Sequence, residues 1–82
     1  MNYICEKVLE DGNKLAIKTW KSDVISPGRQ MFQLDLIKEE RGVRSTIQFP
    51  TKYENFSEAD IRNMYAIIQT KQDFDKIRKS EG

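Results

Sequence analysis

The segment "EDGNKLAIKTW", residues 10–20, joins a turn signal directly to a strand signal. Asp11-Gly12 is a pair favoured in tight hairpin turns. In the run that follows, Leu15, Ile17 and Thr19 alternate with Lys14, Ala16, Lys18 and Trp20, the period of a strand that turns one face to a core. A hairpin needs a preceding partner, and "NYICEKVLE", residues 2–10, is rich in β-formers. The two runs are therefore expected to pair antiparallel. Facing in the first is ambiguous: Ile4 and Val8 share one side with Glu6, while Tyr3, Cys5 and Leu9 share the other with Lys7.

Downstream, "KSDVISPGRQ" (21–30) carries Ser-Asp and Ser-Pro-Gly turn chemistry and reads as a connector. "MFQLDLIKEE" then alternates Phe32, Leu34 and Leu36 against Met31, Gln33, Asp35 and Ile37. After the turn "EERG", Val43, Ser45, Ile47 and Phe49 alternate with Arg44, Thr46 and Gln48, and Pro50 ends the strand because it cannot donate to a ladder. Next comes a helix start: Ser57 as N-cap, Glu58 and Asp60 in the first turn, Phe56 and Ile61 spaced as a hydrophobic staple. Ile61, Met64, Tyr65 and Ile68 repeat at three-four spacing and form one apolar stripe.

These elements predict one α+β domain over residues 1–82: a four-stranded antiparallel meander followed by one long C-terminal helix on one face. The strands fall at about 2–9, 14–21, 30–38 and 43–49, and the helix at about 58–78, with a bend expected near Thr70 or Asp73. A helix of about 23 residues is roughly 34 Å long and outruns strands of about seven residues. Its overhang, carrying Phe74, Ile77 and Ile67, is the expected interface of a homodimer.

Composition narrows the chemistry. The chain has 82 residues with 33% charged and 38% hydrophobic, an ordinary globular balance, and a formal net charge of only +1. Attraction for polyanions must then come from the arrangement of charge. The single cysteine, Cys5, excludes an intramolecular disulfide and favours a reducing setting. The amino-terminal run is broken by Glu6, Lys7, Glu10 and Asp11, so the expectation is a soluble, cytoplasmic chain without signal peptide or membrane span. Histidine is absent, which removes the commonest general base and metal ligand, and no glycine-rich phosphate loop occurs. The expectation is no enzyme, no cofactor and no metal.

If the helix covers one side of the sheet, the other collects Lys14, Lys18, Trp20, Met31, Gln33, Asp35, Arg44, Thr46 and Gln48, with Lys21, Arg29, Arg41 and Lys52 in the connectors. Cations beside an aromatic platform suit single-stranded nucleic acid: phosphates are neutralised and a base stacks on the ring, at about 1–3 kcal/mol per stack. Taken singly, Trp20 is better explained as a cap on a sheet edge, a dimer contact or a residue tucked under the 21–30 connector; its conjunction with the cations is what points to nucleic acid. Lysines on an exposed strand also serve solubility.

The segments "KLAIKTW", "FQLDLIKEERG", "VRSTIQFP" and "SEADIRNMYAII" resemble the positive cofactor four type of transcriptional coactivator and its small bacterial and phage relatives, over about residues 14–70. That resemblance implies a homodimer whose curved sheets bind single-stranded DNA. It places Lys14, Lys18, Trp20, Arg44 and Thr46 against the nucleic acid. The chain departs from the family at Ser45 and Thr46, where glycine is usual, and in its longer 21–30 connector. The expected interface is Lys14, Lys18, Trp20, Lys21, Arg29, Arg44 and Thr46, acting on single-stranded DNA in preference to RNA, with little sequence preference, in transcription or replication. The alternative is a protein-binding module, such as a phage or bacterial inhibitor, with Trp20, Met31 and Arg29 at its centre.

Overall fold

The computed structural model describes residues 2–22, 28–50 and 56–81. Strands β1 (Asn2–Val8), β2 (Lys14–Ser22), β3 (Arg29–Glu40) and β4 (Val43–Phe49) form one antiparallel sheet in the order β1-β2-β3-β4. Helices α1 (Glu58–Ile67) and α2 (Lys71–Glu81) follow and complete an α+β meander. The central strands are longer than expected, because the ladder continues through Trp20↔Met31, Lys21↔Gln30 and Ser22↔Arg29. Lys52 and Tyr53 lie outside the described residues.

Alternation places the core as read from the sequence. Leu15 and Ile17 of β2 stand opposite Leu36 and Leu34 of β3, which in turn face Ile47 and Phe49 of β4. Ile61, Ile68 and Phe74 from the helices close this layer, with Phe32, Phe56, Met64 and Tyr65 packed at its margin. At the start of α1, Ser57 Oγ accepts from the Asp60 backbone N–H at 3.1 Å, as an N-cap should, and Phe56 packs on Phe49 at a ring separation of 5.5 Å. The last turn of α1 has no basic residue of its own; Lys7 of β1 supplies that charge, its Nζ donating to the Tyr65 carbonyl at 2.6 Å and lying 4.7 Å from the Tyr65 ring centre.

The single long helix is corrected to two. Helical bonding ends where Ile68, with extended backbone at φ −77° and ψ 120°, still donates to the Met64 carbonyl. Thr70 and Asp73 then form a reciprocal cap: the Asp73 carboxylate accepts from the backbone N–H of Gln69 and Thr70, and Thr70 Oγ1 accepts from Asp73 N. The β1–β2 turn docks on this break. Glu10 N donates to the Gln69 carbonyl at 3.0 Å, and Lys71 N donates to Asp11 Oδ2 at 2.6 Å, a contact that holds the Asp11 carboxyl below the usual range. With the chain turned at residues 68–70, the second segment packs back on the sheet. Phe74, expected on an overhang between two copies, is 1% exposed in the chain's own core; Ile77 packs beside that core, and only Ile67 stands out at 66%.

In β1, a register shift between Tyr3 and Cys5 resolves the ambiguous facing. Cys5 pairs with Ile17 on the core side, while Tyr3 pairs with Lys18 on the other. An extra residue in a strand reverses the facing of everything before it. Tyr3, expected to share a side with Cys5, is therefore on the opposite one.

The β3–β4 hairpin closes through Arg41 (φ 51°) and Gly42 (φ 78°), the two left-handed positions of a type I′ turn. Arginine is unfavourable there by about 1 kcal/mol, so Arg41→Asn is expected to raise the unfolding free energy by up to that amount. Urea denaturation measures it. Among the described residues no helix is long and apolar enough to cross a membrane.

Candidate nucleic-acid interface

Both helices pack on the Leu15–Ile17–Leu34–Leu36 side of the sheet, which leaves the opposite face without a described helix over it. The strand registers assemble that face in rows. Tyr3, Lys18 and Gln33 form one; Glu6, Ala16, Asp35 and Gln48 the next; Val8, Lys14, Ile37 and Thr46 the third. Trp20 and Met31 lie beyond the first row, with Arg29 past them, and Glu39 faces Arg44 at the other end.

At the centre is a buried carboxylate. Asp35 is 1% exposed; its Oδ2 accepts from the Tyr3 hydroxyl at 3.1 Å and lies 3.7 Å from Lys18 Nζ. Asp35 Oδ1, also buried, accepts no hydrogen bond among the described residues. Burial pushes the Asp35 carboxyl above its ordinary value, and the Lys18 charge and the Tyr3 hydroxyl pull it back only in part. The Tyr3 phenol is raised in turn, by burial and by the neighbouring Asp35, with Arg44 acting in the opposite direction. Lys18 Nζ also lies 5.9 Å from the centre of the Trp20 ring, so one side of the indole already carries a cation.

The expected site residues thus separate. Lys14, Arg29, Arg44 and Thr46 are exposed and share this face, and Trp20 is half-buried on it. Lys18 shares the face but is buried against Asp35, so its charge is committed within the chain. Lys21 pairs with Gln30 and follows the parity of Thr19 and Ile17, which turns it to the helix side. Glu6 and Glu39, not counted in the sequence-based set, join Asp35 here, and the face is close to charge balance. Tyr3 was also missed. It is 48% exposed and adds a second aromatic to Trp20, and only the β1 bulge puts it there.

Comparison of the chain with family models, curated proteins and solved structures finds no match.

Proposed function

We propose that this chain is a non-enzymatic binding module that holds single-stranded nucleic acid, as a homodimer, on the sheet face away from its helices, where Ala16, Asp35, Ile37 and Met31 are buried and the exposed groups lie around them. The observation that carries this reading is that Trp20 and Tyr3 share the side away from the helices with the exposed cations Arg29, Arg44 and Lys14. Bases stack on the two rings and phosphates meet these three exposed cations. Preference for DNA over RNA, and a place in transcription or replication, rest on the family resemblance alone.

With Lys18 neutralised by Asp35 and Lys21 on the other side, about three phosphates are contacted. The logarithm of the binding constant should then fall against the logarithm of salt with a slope of about −2, at roughly 0.7 per phosphate for single strands. Titration of oligo-dT against Trp20 emission measures it. Trp20→Leu should weaken binding by about 1–3 kcal/mol. Unchanged indole emission at low salt overturns the proposal.

One observation favours a second reading. Because Glu6, Asp35 and Glu39 offset the cations, this face also suits a protein partner, with Trp20, Tyr3 and Arg29 as anchors. A nuclease-resistant complex with one protein, in a chain that ignores oligo-dT, selects that reading.

A further inference from the structure

The two edges of the sheet are unlike. β1 is guarded: a bulge interrupts it at Ile4, and Glu6 and Lys7 place charges along it. β4 is not. Its register with β3 is continuous from Val43 to Phe49, it contains no proline, and Arg44 is its only charged residue. Because Arg41-Gly42 forms a two-residue turn, the closing pair Glu40↔Val43 exchanges hydrogen bonds, and the alternation then gives Ser45, Ile47 and Phe49 to β3 as well. The N–H and C=O groups of Arg44, Thr46 and Gln48 point outward, and among the described residues they have no partner.

We propose that β4 pairs with β4 of a second copy of this chain, antiparallel about a two-fold axis at Thr46, so that two four-stranded sheets become one. The sequence of β4 is self-complementary in that register. Thr46 meets Thr46 of the second copy and Arg44 meets Gln48, so every outward backbone group gains a partner and no like charges face. On the helix side Ser45 meets Ile47, and Val43, 68% exposed in the single chain, meets Phe49. Pro50, which has no N–H, marks the limit of the pairing. The faces away from the helices become continuous, with Trp20 and Tyr3 on each. This interface replaces the helix overhang as the basis for a dimer.

The test reads self-association without any nucleic acid, so its failure removes the homodimer and leaves nucleic-acid binding by a single chain standing. Sedimentation equilibrium is run on the full chain and on Gln48→Glu and Gln48→Arg, two substitutions at an exposed side chain, with circular dichroism to establish that all three fold. Gln48→Glu sets a carboxylate against Arg44 twice across the axis and should tighten the dimer by about 5- to 10-fold; Gln48→Arg sets like charges there and should loosen it by a similar factor, both shrinking in high salt. Thr46→Pro removes an outward N–H and should leave a folded monomer. A chain that stays monomeric up to ~1 mM, a range that captures even weak specific association, overturns the proposal. So does a dimer indifferent to all three substitutions, or a β4 edge that takes only an extended peptide from another protein.

Discussion

Lys18→Met is expected to lower the unfolding free energy by about 3–5 kcal/mol at neutral pH, because it strands the Asp35 carboxylate in the sheet without its counter-charge. Asp35 is buried and already has one oxygen without a donor among the described residues, of which the Tyr3 hydroxyl would be its sole remaining partner. The double replacement Lys18→Met with Asp35→Leu should reverse the loss and end neutral to about 4 kcal/mol more stable than the wild type, since neither charge is then desolvated. Urea unfolding of the two single variants and the double variant closes the cycle. The pH dependence has a definite sign. The Asp35 carboxyl titrates above its ordinary value of 3.8, so between that value and the raised one the folded chain binds more protons than the unfolded chain. The contribution of Asp35 to stability therefore falls as pH rises through that window and recovers as pH drops. Loss of Lys18 removes a pull toward ionisation, so the window widens upward in Lys18→Met, and the defect should shrink on acidification. The same double variant separates structure from function: with Lys18 already committed to Asp35, its removal should leave the salt slope for oligo-dT unchanged. A decrease of about 0.7 would mean that Lys18 does meet a phosphate.

Strand alternation was a reliable guide wherever one face is apolar and unbroken. Leu15, Ile17, Leu34, Leu36, Ile47 and Phe49 lie in the layer that their spacing assigns. Period two fixes which side a residue occupies; how deeply it is buried there depends on neighbouring strands. Asp35 was placed on the correct face, yet its burial under Tyr3 and Lys18 arises from a bulge and a diagonal contact that no single strand encodes. The same bulge hid Tyr3, since one inserted residue leaves composition intact and inverts parity. The helix break had a local signal in Thr70-x-x-Asp73, a capping-box spacing, but the stripe through Ile67, Phe74 and Ile77 is also compatible with one continuous helix. The docking of Asp11 on Lys71 N, a contact between residues 60 apart, adds a support that lies beyond any local window.

Phe74→Ala should then be among the most damaging substitutions in the chain, lowering stability by about 3–5 kcal/mol through lost burial and the cavity left behind. A domain of this size has about 5–15 kcal/mol in total, so much of the fold's margin disappears with one ring. The reason is positional. Capping at Thr70 restarts the helix so that Phe74 meets Ile61, Ile68 and the sheet, and it is 1% exposed there. Because that contact is within one chain, the loss measured by urea unfolding should be the same in dilute and concentrated samples. Ile67→Ala, at a residue 66% exposed, should change stability by less than about 0.5 kcal/mol. The opposite pattern, in which Phe74→Ala weakens self-association while the unfolding midpoint of the dilute chain holds, would return this residue to an interface between copies. In that case α2 would have to detach from the sheet to form the dimer, breaking the Lys71–Asp11 contact and uncovering Ile61 and Ile68. Such a rearrangement exposes apolar surface that β4 pairing leaves covered, and for that reason the edge, rather than the second helix, is the economical place for two copies to meet.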